Sequence, residues 1–209
     1  MSPSAPSVAI LDYDAGNVRS AKRGFEVAGA RAEIVREPEP ARRADALVVP
    51  GVGHFGSCLT QLRRSGLEGV VREAIATERP VFGICVGMQL LYGHSEEGDE
   101  PGLGLLPGHV ERFPAGAVVP HMGWDVVHAA AGAEGDPLLA GVAGDRLYFV
   151  HSYYAVPSDS VHVVARTTYG GVDFPCLVRE GSVVGTQFHP EKSGAVGARL
   201  LSNWIASLG

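Results

Sequence analysis

The first half of the chain alternates short runs that are apolar throughout with stretches that are apolar only at every third or fourth position. Val8-Ala9-Ile10-Leu11 is of the first kind, as expected of a parallel strand covered on both faces. Asp12 to Gly16 read as a turn, after which Asn17 can cap a helix with the apolar stripe Val18, Ala21, Phe25 and Ala28. Gly29 closes it. A second strand over 32–35 and a Pro/Glu-rich connector, Glu37 to Pro40, lead to a third strand, Ala46-Leu47-Val48-Val49. Leu67, Val70, Val71 and Ile75 mark a further helix, with Glu68 and Arg72 as an i,i+4 pair on its exterior. Behind Pro80, Val81-Phe82-Gly83-Ile84 forms another apolar run, and Met88, Leu91 and Tyr92 return to helical spacing. This alternation predicts an α/β fold: a doubly wound, mostly parallel sheet with helices on both faces.

After Gly93 the pattern changes. Gly93 to Gly102 is an acidic loop (Glu96, Glu97, Asp99, Glu100) and reads as solvated surface. Short β runs follow at 109–113, 124–128, 146–150, 161–168 and 176–179, and a turn at Glu180-Gly181 leads into 182–188. They predict an antiparallel or mixed extension of the sheet. Ala129 to Asp136 reads as a flexible loop, and a final helix from about Ser193 buries Val196, Leu200, Leu201, Trp204 and Ile205. With no internal repeat and no linker, the 209 residues read as one domain, 1–209, with 1–6 as a disordered tail.

Composition works mainly by exclusion. Apolar residues at 45% and charged ones at 19% suit a packed core rather than disorder. A net charge of -6 with no basic stripe speaks against nucleic-acid binding. No apolar run approaches the roughly 18–20 residues that cross a bilayer, and the N-terminus lacks the basic and apolar parts of a signal peptide. Cys58, Cys85 and Cys176 are odd in number and far apart, which fits neither a disulfide framework nor a zinc ribbon. The expectation is a cytoplasmic protein without metal, cofactor or membrane contact.

Ligands of doubly wound sheets gather at the carboxyl ends of the strands, where Asp12 to Gly16, Pro50 to Gly53 and Cys85 all fall. Cys85 sits between Gly83 and Gly87 on a strand that turns directly into a helix, the arrangement of a nucleophile elbow. The glycines let backbone segments pack closely around a strained residue, and the helix N-terminus favours a thiolate. Gly-x-Cys-x-Gly alone is equally compatible with a buried cysteine in a turn. A second stretch, Gly185 to Ser193, contains His189-Pro190-Glu191. Proline pushes His189 toward an extended conformation, in which side chains two apart share a face. Glu191 can then hold one ring nitrogen and leave the other to exchange protons with a nucleophile. A polar turn at a strand end, or half of a metal site, would use the same residues, although no further ligand cluster has metal spacing. In Pro50-Gly51-Val52-Gly53-His54-Phe55-Gly56, the glycines at 51, 53 and 56 free the backbone to aim amides at a ligand.

Gly83-Ile84-Cys85-Val86-Gly87-Met88-Gln89 together with His189-Pro190-Glu191 resembles the Cys-His-Glu triad of the class I glutamine amidotransferases. Five further stretches extend the resemblance, in order, to the glutaminase subunits of imidazole glycerol phosphate synthase: Asp12-Tyr13-Asp14-Ala15-Gly16-Asn17-Val18-Arg19-Ser20, the 50–56 loop, Pro120-His121-Met122-Gly123-Trp124-Asp125, Phe149-Val150-His151-Ser152-Tyr153-Tyr154 and Glu191-Lys192-Ser193-Gly194. The resemblance implies hydrolysis of L-glutamine by Cys85, His189 and Glu191, with an oxyanion hole from the amides of Val52 and Val86. It also implies a glutamine pocket of Gly51, Gly53, Gln89, His151, Ser152 and Tyr153, and no cofactor. Ammonia would pass to a separate (βα)8-barrel cyclase docked on Asn17, Trp124 and Lys192. That partner makes imidazole glycerol phosphate and an aminoimidazole carboxamide ribotide in histidine biosynthesis.

Spacing alone would leave Gln89 a solvated helix residue, 151–153 ordinary strand-end polar residues, and Trp124 and Lys192 plain surface. Asp14 and Asp125 depart from the family's pattern, which has glycine and asparagine there, in stretches that approach the partner subunit. A glutaminase serving another acceptor enzyme, a stand-alone γ-glutamyl hydrolase and a non-catalytic scaffold subunit are alternative readings of the same residues.

Overall fold

The computed structural model describes residues 5–98 and 101–208. Its first half runs β1 (Ser7–Leu11), α1 (Val18–Val27), β2 (Arg31–Val35), α2 (Pro38–Arg43), β3 (Ala46–Gly51), α3 (Phe55–Arg64), α4 (Leu67–Ala76), β4 (Val81–Cys85) and α5 (Val86–Gln89). The second half runs β5 (Gly108–Arg112), β6 (His121–Val126), β7 (His128–Ala129), β8 (Arg146–His151), β9 (Tyr153–Pro157), β10 (Val163–Tyr169), β11 (Val172–Glu180), β12 (Val183–Thr186) and α6 (Gly194–Ala206).

Eight strands form one sheet in the order β2-β1-β3-β4-β12-β11-β10-β7. From β2 to β12 every pairing is parallel, and β11, β10 and β7 continue it in antiparallel fashion. The expected extension is therefore present, but it takes up only part of the second half. β5 pairs with β9 and β6 with β8 as two separate antiparallel sheets. The strand Tyr153–Pro157 had no signal of its own in the apolar pattern. In β8 the buried positions alternate, Leu147, Phe149 and His151, so a histidine occupies an inward place.

Alternation along β4 sets the two layers. Phe82 faces α1 and α6, where its ring meets Phe25 at 5.6 Å and Trp204 at 5.1 Å; Phe25 and Trp204 lie 5.5 Å apart. All three rings are buried and edge to face, the favoured geometry for aromatic pairs. Gly83 points to the opposite face, against α5. On that side α3 packs on both α4 and α5.

Several elements differ from their expected form. The Pro/Glu-rich connector contains α2, because Pro38 sits in the first helical turn, where a missing N–H breaks no bond. α3 was hidden behind the glycine-rich loop that precedes it, yet it buries Phe55, Cys58, Leu59 and Leu62 at helical spacing. The helix after Cys85 stops at Gln89 instead of reaching Tyr92. There the carbonyls of Leu90, Leu91 and Tyr92 turn aside to accept the amides of Leu103, Leu105, Leu106 and Gly104. Nor is the acidic loop merely solvated. Ser95 is buried, Glu97 accepts the Phe55 amide at the start of α3 at 2.8 Å, and Glu96 accepts that of Arg112 at 2.8 Å. Asp99 and Glu100 lie outside the described residues, as do the first four residues of the expected tail. Pro6, in that tail, accepts the Arg31 amide at 2.9 Å.

Trp204→Ala should open a cavity among three rings and lower the unfolding free energy by about 3–5 kcal/mol in urea titrations. A transition unchanged from the parent chain would show that this cluster does not anchor the core.

Candidate active site

Cys85 ends β4 and precedes α5 with φ 54 and ψ -111, a left-handed backbone that a non-glycine residue adopts only under constraint. The constraint is close packing. A Cβ on Gly87 would lie 1.8 Å from the Val49 carbonyl oxygen, and one on Gly83 would lie 2.9 Å from backbone atoms of Gly87 and Met88. α5 can approach β3 and β4 this closely only because these positions lack side chains. The chain must then reverse sharply at Cys85. Its thiol donates to the Val150 carbonyl at 3.8 Å and receives the Gln187 side-chain amide at 3.6 Å.

His189 follows β12, next to β4 in the sheet. Its Nδ1 lies 2.9 Å from Glu191 Oε1, and both side chains are almost completely buried. The expected pairing is present, by a different route. His189 is extended, but Pro190–Lys192 form a 3-10 turn that brings the carboxylate round. Ser193 holds the turn: its hydroxyl donates to the His189 carbonyl at 2.7 Å and accepts the Tyr148 amide at 2.9 Å. His189 Nε2 has no hydrogen-bond partner among the described residues. Burial pushes the His189 pKa down, but the Cys85 sulfur and the Glu191 carboxylate outweigh it and raise the value to about 10. The ring is thus poised to hold a proton beside the sulfur.

Cys85 and His189 open into a cavity of about 340 Å³ that is also lined by Val52, Gly53, Val86, Gln89, His151, Ser152 and Tyr153. These are the residues expected there, apart from Gly51. Gly51 is buried behind the cavity, where a Cβ would lie 2.5 Å from the Gly87 amide nitrogen. A larger groove of about 670 Å³, lined by His54, Ser57, Thr60 and Arg64, is not lined by Cys85 or His189. Gln89 is not solvated. It is buried, and its amide donates to the Tyr153 carbonyl and to Gln187 Oε1, each at 2.9 Å.

The loop beside Cys85 is held from both sides. Tyr13 donates its hydroxyl to the Pro50 carbonyl, and the Cys58 thiol donates to the Val52 carbonyl at 3.3 Å. Gly53 has φ +96 and open space where a side chain would be. Burial raises the Cys58 pKa to about 12 and puts that of Cys176 well above the ordinary thiol range. Both therefore stay protonated inside the core.

Asn17, Trp124 and Lys192 are all exposed. Asn17 also caps α1, accepting the Ser20 amide at 3.3 Å. Trp124 is linked to His189 through tilted neighbouring rings, its own 5.8 Å from that of Tyr148, which lies 6.4 Å from the His189 ring. Asp14 has φ 62, which accounts for glycine as the usual residue there; aspartate tolerates this region better than most. Sequence reasoning missed Gln187, Ser193 and the cavity-lining Glu97, Pro120 and Val150. All but Glu97 fall within the motif stretches of the sequence, which is the signal that could have found them.

A family model described as "Glutamine amidotransferase class-I" matches residues 9–208. The chain is 46% identical over 204 residues to the "Imidazole glycerol phosphate synthase subunit HisH" of Synechococcus sp. (strain JA-3-3Ab), covering 96% of this chain and 94% of that one. It is 46% identical over 209 residues to the protein of the same name from Mycobacterium bovis (strain ATCC BAA-935 / AF2122/97), covering 98% and 99%. Among solved structures, one described as "Crystal structure of glutamine amidotransferase" has a TM-score of 0.75 at 26% identity, covering 96% of this chain and 97% of that one. PurLQS from Thermotoga maritima has a TM-score of 0.77 over 98% and 100%, but at 19% identity that likeness is one of fold alone. The chain belongs to the class-I glutamine amidotransferases and, among them, to the family of imidazole glycerol phosphate synthase subunit HisH.

Proposed function

We propose that this chain hydrolyses L-glutamine to glutamate and ammonia through Cys85, His189 and Glu191, as the glutaminase subunit of imidazole glycerol phosphate synthase. The observation that carries this reading is a strained cysteine and a histidine with a bare Nε2 on one cavity, with a buried carboxylate behind the histidine on its Nδ1. The Cys85 sulfur, its proton taken by His189, adds to the side-chain amide carbon of glutamine. The oxyanion that forms is met by the amides of Val86 and Val52. The first turn of a helix leaves its N–H groups without internal partners, so Val86 has a donor to spend. When the intermediate collapses, His189 gives its proton to the departing nitrogen and ammonia leaves a thioester on Cys85. Water, deprotonated by His189, then attacks the thioester and frees glutamate and the thiol.

Gly53, Gln89, His151, Ser152 and Tyr153 would shape the glutamine pocket, with Gly51 behind them. The ammonia acceptor in this reading is a separate (βα)8-barrel cyclase that docks on exposed Asn17, Trp124 and Lys192. Among the described residues no helix is long and apolar enough to cross a membrane. All three cysteines are free and buried, which supports a reducing cytoplasm as the working compartment.

Cys85→Ala should abolish glutamine hydrolysis while the complex with the cyclase still forms product from ammonium salt. Glutamine-dependent product formation by this variant would sink the assignment.

Glu191→Gln keeps the shape of the side chain but weakens its hold on the imidazolium. Steady-state kinetics should show kcat falling by roughly 10²-fold with a much smaller change in KM. A parental kcat would make Glu191 a structural residue only.

The isolated chain should be a poor glutaminase that the ligand-bound cyclase switches on. The motive lies in the 50–53 loop. The carbonyls on either side of the 51–52 peptide are held by Tyr13 and Cys58, and Gly51 has no Cβ to oppose rotation of the peptide between them. Two orientations of the Val52 amide are then close in energy. Moving such an equilibrium from 1:99 to 99:1 takes roughly 5.5 kcal/mol of differential binding. Glutamate production should rise from the chain alone, to the complex, to the complex with cyclase ligand; equal rates in all three would rule the switch out.

A further inference from the structure

His121, the first residue of β6, lies buried between two aromatic faces. The ring of Tyr169 is 3.9 Å away at 15°, and that of Phe149 is 4.9 Å away at 18°. Its Nδ1 is 3.0 Å from His151 Nε2, and its Nε2 is 2.6 Å from Asp125 Oδ2. His151 in turn has Nδ1 2.7 Å from the Tyr153 carbonyl, which also accepts the Gln89 amide.

Counting protons along this chain leaves few choices. A carbonyl only accepts, so His151 Nδ1 carries a hydrogen. Burial pushes the His151 pKa to about 3, so its ring is neutral and its Nε2 offers a lone pair. His121 Nδ1 must then donate. The opposite nitrogen of His121 faces a carboxylate oxygen at a distance typical of a charge-assisted bond, and that bond also needs a hydrogen. A neutral imidazole has only one N–H. We propose that His121 is held as an imidazolium between Tyr169 and Phe149, paired with Asp125, and that Asp125 thereby positions the His151–Tyr153 wall of the cavity.

Burial opposes this charge and pulls the His121 pKa down, against the Asp125 carboxylate. The lone pair of His151 and two ring faces act in the direction of Asp125, since aromatic faces attract cations. The titratable groups that face the ring are Asp125, His151 and Tyr169, whose hydroxyl is engaged with the Val118 carbonyl. Beyond them, His189 acts on His151, and Arg146 donates to the Trp124 carbonyl beside Asp125. An asparagine at position 125 could donate to a neutral His121 and complete the same chain. With aspartate there, an extra proton completes it. Asp125 is a positioning residue: it reaches the cavity through two rings and touches nothing inside it.

The assignment of that wall to glutamine rests on the proposed function, so the test has two independent arms. Ring ¹⁵N NMR of the full chain at neutral pH should show His121 protonated on both nitrogens and His151 neutral with hydrogen on Nδ1. In Asp125→Asn, His121 should become neutral with hydrogen on Nδ1 only. The second arm measures labelling of Cys85 by acivicin, a glutamine-like electrophile, on the chain in complex with the ligand-bound cyclase. Its half-saturating concentration should be essentially unchanged in Asp125→Asn and raised about tenfold in Asp125→Ala. A neutral His121 in the parent chain, whether the proton then sits on Asp125 or is absent, overturns the proposal. So does an Asp125→Ala chain that labels at the parental concentration. If Cys85 of the parent chain does not react at all, the glutaminase reading fails instead, and the His121 spectrum alone decides the proton.

Discussion

Where α5 crosses β3, a methyl group on Gly87 would lie 1.8 Å from the Val49 carbonyl oxygen, far inside contact distance. That crossing sets the rest of the site. With α5 pressed onto the sheet, the link between β4 and α5 has no room for a gradual turn, and Cys85 takes a positive φ. Gly51 and Gly185 belong to the same arrangement, since a Cβ on either would strike Gly87 or Met88. Cys85 is aimed by close backbone packing.

His189 is held by other means. His189 hangs from a turn after β12, and Ser193 ties that turn to Tyr148 in the separate β6–β8 sheet. Glu191 is buried, and its Oε2 has no partner among the described residues. A carboxylate in that position costs several kcal/mol unless a cation sits against it. The imidazolium of His189 is that cation, so the burial of Glu191 and the raised pKa of His189 are one arrangement seen from its two ends. The same logic recurs at Asp125 and His121, where a carboxylate and a ring share a proton under two aromatic faces.

Much of this was legible before any coordinates. The parallel half of the sheet, the cap at Asn17, the elbow and the pairing of His189 with Glu191 all follow from local patterns: apolar runs, helical stripes, and a proline between two polar residues. What escaped is non-local. Nothing in the order of residues reveals that Glu97 reaches back to the first turn of α3, or that the 103–106 backbone captures the carbonyls after Gln89. The roles of Gln187 and Ser193 escaped because their partners lie on other elements. The division of the second half into one extension and two small sheets likewise depends on pairings between strands far apart in the chain.

The three sulfurs differ in a way that a chemist can exploit. Cys58 is enclosed behind the 50–53 loop and Cys176 lies in the sheet core, both with thiols that burial keeps protonated, while of the three only Cys85 opens into the cavity. The native chain thus presents a single sulfur to a small alkylating reagent, and the unfolded chain presents three. One reagent can therefore count native cavities in a preparation, and the later appearance of two further reactive thiols marks loss of the core.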